Sequence, residues 1–161
     1  MGEKNTITYF SYLYAAMKKI LEKAIQIAVN AHFGQVDKAG APYIFHPLRV
    51  MSRVSSNEER IVAVLHDVVE DTSVTFDDLV EAGIPKHLVL VLRVLTRAHD
   101  TPYESYVSKI SENPLATTVK IADLIDNMDT SRLSNITDED LARLQKYAIS
   151  LKFLKAASGV K

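Results

Sequence analysis

Apolar residues recur along this chain at intervals of three and four rather than in strict alternation, the spacing of helices that bury one face. Leu21, Ala24, Ile25, Ala28 and Ala31 trace one such face. The pattern predicts a first helix that stops before the loop Gly34-Gln35-Val36-Asp37-Lys38-Ala39-Gly40, the longest irregular segment. A second helix is predicted from about His46-Pro47, because proline is favoured in a first turn, where its missing N–H costs little. A third opens at Ser56, with Glu59 as its capping-box partner and Ile61, Leu65 and Val68 on its apolar face. Thr75 with Asp78, Asp100 or Thr101 ahead of Pro102, Asn113 ahead of Pro114, and Thr137 with Asp140 offer further side-chain oxygens to unpaired N–H groups. The last helix carries Leu141, Leu144, Ala148, Leu151 and Leu154 at core spacing, and Ser158-Gly159-Val160-Lys161 is predicted to fray. Only five glycines and five prolines interrupt this pattern. The fold class that follows is all-α.

Length and composition narrow the reading. A chain of 161 residues, 47% apolar, is the size of one domain with its own core, read here as residues 1–161 with 1–15 as an N-terminal extension. That extension holds the aromatic run Ile7-Thr8-Tyr9-Phe10-Ser11-Tyr12-Leu13-Tyr14. An extra turn, a short strand or a contact surface would all suit it, with core packing or a homodimer contact preferred. Nineteen basic and 20 acidic residues nearly cancel, so no strongly basic face speaks for nucleic acid. The apolar runs are too short for a membrane span, and the start lacks the order of a secretory signal. The expectation is a soluble, unprocessed protein with cytoplasm as the default compartment. With no cysteine, any metal must be held by imidazole and carboxylate.

The densest chemistry lies in Leu65-His66-Asp67-Val68-Val69-Glu70-Asp71-Thr72, with one imidazole and three carboxylates in under two helical turns. On a helix whose other face is apolar, unpartnered carboxylates would cost several kcal/mol or stay neutral, roughly as buried acids do. A divalent cation resolves that conflict. Neighbouring residues on a helix point about 100° apart, so His66 and Asp67 need ligands from elsewhere. His46, just after the loop, and Asp123, an acid in the apolar run Val119-Lys120-Ile121-Ala122-Asp123-Leu124-Ile125-Asp126-Asn127, are the candidates, and Asn127 lies one turn beyond Asp123. Two nitrogens and two carboxylate oxygens suit manganese, iron or zinc, and a metal that acidifies water points to hydrolysis. Glu70 and Asp71, beside the metal rather than on it, are candidates to orient that water and move its proton. His32, His87 and His99 are assigned to packing or surface roles.

These segments resemble the HD-domain superfamily, and within it the RelA/SpoT-type (p)ppGpp hydrolase domains and the stand-alone small alarmone hydrolases. The resemblance runs through Ala31-His32-Phe33-Gly34-Gln35, Lys38 to Pro47, His66 to Thr72, and Val119 to Met128. It implies an all-helical fold and one manganese ion held by His46, His66, Asp67 and Asp123, with Fe2+ or Zn2+ as substitutes. It also implies Glu70 and Asp71 as the residues that handle the attacking water, and Lys38 and Asn127 as substrate contacts. The implied reaction removes the 3′-pyrophosphate from guanosine tetra- or pentaphosphate. The family's synthetase half has no counterpart in this sequence, so one activity is expected. Two positions depart from the family. Asp37 stands where an arginine helps hold guanine, and Asp129 replaces the arginine of an Asn-Met-Arg-Thr pattern. Each change moves local charge by about two units toward the acidic side. Lys38, Lys120, Arg49 and Arg132 are the cations available to offset it. Hydrolysis of another nucleotide, such as a nucleoside monophosphate or an adenine alarmone, and a non-catalytic metal-bound nucleotide sensor are the competing readings.

Overall fold

In the computed structural model, residues 3–133 and 135–159 are described, with side chains from residue 15 onward. Nine α-helices and one 3-10 turn make up the described chain: α1 (Glu3–Ala31), α2 (Phe45–Ser52), α3 (Asn57–Leu65), α4 (Val68–Asp71), α5 (Phe76–Glu81), α6 (Lys86–Leu95), α7 (Tyr103–Ser111), α8 (Pro114–Asn127), a 3-10 turn (Thr130–Arg132) and α9 (Asp138–Ser158). No strand occurs among the described residues, and one isolated bridge, Val36 to Pro42, pinches the loop after α1.

The organising element is α3. Ile61, Val62, Ala63, Val64 and Leu65 are all fully buried, and a helix apolar on every side can be covered on every side. It packs against α1, α2, α6 and α8. Burying each of its larger side chains contributes about 1.5–3 kcal/mol. Ala24 and Ala28 of α1, Leu88 and Leu92 of α6, and Val119 and Leu124 of α8 close the same core. No described helix is long and apolar enough to cross a membrane.

Most helix starts follow the local chemistry. Reciprocal capping boxes form at Ser56/Glu59, Thr75/Asp78 and Thr137/Asp140. Asn113 caps α8 by accepting from the Ala116 N–H, with Pro114 in the first turn. Three expectations need correction. First, α7 has no Asp100 or Thr101 cap. Pro102 itself stands at the N-cap with extended backbone and no side-chain bond, because its ring fixes φ where the chain enters the helix. Second, the third helix does not run on through Val68. It stops at Leu65, and His66 and Asp67 form a turn before α4. Third, Leu141 and Ala148 face outward on α9, with Leu141 55% exposed, whereas Leu154 is fully buried. The buried positions of α9 begin with Asp140, which completes the capping box with Thr137 and pairs with Lys38 and Arg143. The side chains of the aromatic run Ile7–Tyr14, and Val160 and Lys161 of the predicted frayed end, lie outside the described residues.

Candidate metal centre

Four side chains from three segments converge at the C-terminal end of α3. His46 enters from the first turn of α2, His66 and Asp67 from the turn after α3, and Asp123 from α8. His46 Nε2 lies 3.4 Å from Asp67 Oδ2 and 3.1 Å from Asp123 Oδ1. His66 Nε2 lies 3.1 Å from Asp67 Oδ2 and 3.4 Å from Asp123 Oδ1. The two nitrogens and two oxygens therefore alternate around a ring. Donors each about 2.0–2.2 Å from one ion stand roughly 2.8–3.6 Å apart at spacings between right-angled and tetrahedral. The observed edges fall in that window. His46, His66 and Asp67 each offer a donor atom within 4.8 Å of the others.

The break in the helix is what makes the His66–Asp67 pair usable. On an unbroken helix the two side chains would diverge by about 100°. The turn swings Asp67 back until its carboxylate meets the neighbouring imidazole.

Both imidazoles are oriented through their second nitrogen. His66 Nδ1 lies 2.7 Å from the Ala63 carbonyl, which can only accept, so this nitrogen carries the proton and Nε2 faces the centre. His46 Nδ1 makes the equivalent contact with Asp126 Oδ2 at 2.8 Å. Asp126 is fully buried and takes a two-pronged ion pair from Arg49 at 2.8 and 2.9 Å. His66 Nε2 is buried with no hydrogen-bond partner among the described residues, as expected of a nitrogen reserved for a ligand.

The electrostatics point the same way. Burial works against a charged His46, yet hydrogen bonding to Asp123, Asp126 and Asp67 pushes its pKa up to about 11. For His66 the carboxylates of Asp67 and Asp123 overcome burial and push it up to about 9. Asp123 stays well below the usual carboxylate range despite burial, held there by the Lys120 ammonium and both imidazoles. The centre stabilises positive charge, which a divalent cation delivers in place of protons. The donor set fits a metal.

Two cavities flank the ring and share Tyr43, His46 and Asn127. One, of about 270 Å³, is bounded by the 36–39 loop, Asp129, Arg132, Leu133 and Arg143. The other, of about 240 Å³, is walled by Glu70, Arg97, Lys120 and Lys146 with three further tyrosines. Glu70 lines the second cavity and accepts from the Arg97 N–H at 3.1 Å. Burial pushes its pKa up. Asp71 lines neither cavity. It reaches the centre through Tyr43, whose hydroxyl lies 2.6 Å from Asp67 Oδ2 and 3.2 Å from Asp71 Oδ2. Burial and the Asp67 charge push the Asp71 carboxyl up. Lys38 stands on the wall of the first cavity, 3.1 Å from Asp140. Asn127 borders both cavities, and its side-chain nitrogen donates to Asp123 Oδ1 at 2.6 Å.

Asp37 does not form a free acidic rim. Its Oδ1 accepts from the N–H groups of Ala39 and Ala41, and its Oδ2 takes the Arg132 guanidinium at 3.0 Å. Asp129 accepts from the Ser131 N–H and starts the 3-10 turn. Of the four offsetting cations, Lys38, Lys120 and Arg132 line a cavity, and Arg49 is spent on Asp126. His32 is buried against Tyr43, while His87 and His99 are exposed. Sequence reasoning missed Tyr43 and Asp126. Asp126 left one signal, its position three residues after Asp123 on the same face of an apolar helix.

The fold is all-α, and its His/Asp cluster presents two imidazoles and two carboxylates to a common centre. The chain superposes on the solved structure of a protein described as a metazoan ortholog of SpoT that hydrolyzes ppGpp and plays a role in starvation responses, with a TM-score of 0.66, 21% identity and coverage of 88% of this chain and 97% of that one. No family profile matches the chain. In sequence it is similar to part of several longer proteins. It is 30% identical over 148 residues to a guanosine-3′,5′-bis(diphosphate) 3′-pyrophosphohydrolase of Borreliella burgdorferi, covering 83% of this chain and 22% of that protein. To the bifunctional (p)ppGpp synthase/hydrolase SpoT of Escherichia coli K12 it is 29% identical over 134 residues, covering 74% of this chain and 19% of that one. The chain thus spans about a fifth of the length of these relatives.

Proposed function

We propose that this chain is a single-domain, metal-dependent pyrophosphohydrolase of the cytoplasm that removes the 3′-pyrophosphate of ppGpp, yielding GDP and pyrophosphate. The observation that carries it is the alternating ring of His46, Asp67, His66 and Asp123 set between two cavities that both admit positively charged side chains. Manganese is the metal of choice, held by those four residues. When bound, a divalent cation there supplies the charge that acidifies water and screens phosphate oxygens.

The protein's own groups do the rest. Glu70, its pKa raised in the second cavity, accepts a proton from water more readily than an ordinary surface carboxylate does. Asp71 acts behind Tyr43, holding the hydroxyl that in turn contacts Asp67. Arg97, Lys120 and Lys146 give the second cavity the charge a departing pyrophosphate requires. The first cavity, with Lys38 at its wall, takes the nucleoside side. Pairing of Asp37 with Arg132 removes much of the acidic character that favoured a different nucleotide.

Protein purified without chelator and supplied with Mn2+ is expected to release pyrophosphate from ppGpp, and Asp67→Ala to abolish that release while circular dichroism shows the fold retained. Absence of turnover at high enzyme concentration with Mn2+, Fe2+ and Zn2+ supplied in turn would reject this substrate.

A further inference from the structure

The structure assigns Arg132 as the residue that holds the base in the first cavity, its guanidinium clamped along its edges so that a flat face is left for a purine ring. This rests on the nucleotide reading above.

Arg132 comes from the 3-10 turn after α8, on the wall of the roughly 270 Å³ cavity together with its neighbour Leu133. Its Nη1 donates to Asp37 Oδ2 at 3.0 Å, and its Nη2 donates to the Asp126 carbonyl at 3.4 Å. The Asp126 carboxylate lies 3.7 Å from the same nitrogen. These contacts lie at the rim of the guanidinium, where its N–H groups point. A guanidinium whose edges are satisfied presents its delocalised face, the surface that stacks on aromatic rings. Apolar Val36, Ala39 and Leu133 complete the surroundings that a planar heterocycle needs.

Asp37 acquires a role from this geometry. Both its oxygens are engaged, one by the loop's own N–H groups and the other by Arg132. It does not read the base. It fixes the residue that does, by a direct ion pair. Nearby, Lys38 and Arg143 share a single carboxylate oxygen of Asp140, at 3.1 and 3.0 Å. Two cations on one anion leave surplus positive charge at the wall, which suits the phosphates that accompany a base.

Arg132→Lys separates stacking from bracing. Lysine keeps the ion pair to Asp37 and therefore the loop, but has no planar face. Calorimetric titration of the full chain with GDP is expected to show Arg132→Lys and Arg132→Ala each weakening binding about tenfold, with CDP affected much less because a pyrimidine stacks over a smaller area. With ppGpp, KM should rise by a similar factor while kcat stays within about twofold, the signature of lost ground-state binding. A lysine variant that binds GDP as the parent does, equal losses for GDP and CDP, or a parent chain that binds no GDP would each overturn the assignment. A parent that binds GDP through Arg132 but releases no pyrophosphate from ppGpp would sink the hydrolase reading and leave this one standing.

Discussion

The two imidazoles of the candidate metal centre make the same contact through Nε2 and are held in place by opposite means. His66 is fixed locally, by the carbonyl of Ala63 three positions back, at the end of the helix it follows. His46 is fixed across the fold, by a carboxylate on α8 that itself needs Arg49 to be tolerable in the core. A carbonyl contributes a dipole, whereas a carboxylate contributes a full charge, so the two ligands differ in basicity as well as in support. The candidate site therefore has one imidazole oriented by a contact local in sequence and one oriented only where α2 and α8 meet.

The sharpest way to break that comparison is Asp126→Asn, which keeps shape and removes charge. Such outer contacts to a ligating histidine are typically worth about 10–100-fold in metal affinity. Isothermal titration with Mn2+ should show a loss in that range, along with lower thermal stability from Arg49 left without its anionic partner. Unchanged affinity in a folded variant would mean that Asp126 serves packing alone.

A second test is the order of titration in the metal-free chain. Followed by NMR, His66 should lose its proton at about 9 and His46 at about 11. Both values lie above the unfolded histidine value of about 6.5, so the stability these cations contribute is fully present below that pH. It is lost as pH rises first through the His66 and then through the His46 value. The reverse order would contradict the assignment of the stronger partner to His46. The smallest effect is expected at Ala63→Gly. The carbonyl that holds His66 remains, so Mn2+ affinity should stay within about twofold, while the helix loses about 1 kcal/mol in a thermal melt. A large loss of affinity there would show that His66 depends on more than its local bond.

The same division explains what could be read in advance. Helix starts at Ser56, Thr75, Asn113 and Thr137 were legible because a cap involves residues only three apart. The residues placed in the ring were legible as a set of ligand-type side chains. Their supports were not. Asp126 and Tyr43 act on groups 80 and 24 positions away, and no local pattern marks such a partner. The interruption at His66 was hidden as well, because the apolar spacing runs straight through it from Leu65 to Val68. On α9, five apolar residues at helical spacing suggested one buried stripe, yet the fully inward positions are Asp140, Ser150 and Leu154.

The interruption after α3 has a bearing on how this protein can change. Since the helix delivers two ligands at its very end, adding or deleting one residue between Ser56 and Leu65 would wheel both through about 100° and carry them away from His46 and Asp123. Its exposed side chain is free to vary; its length is not. A library built on this scaffold should diversify Glu58, the exposed position of the helix, while holding the reading distance from cap to turn constant.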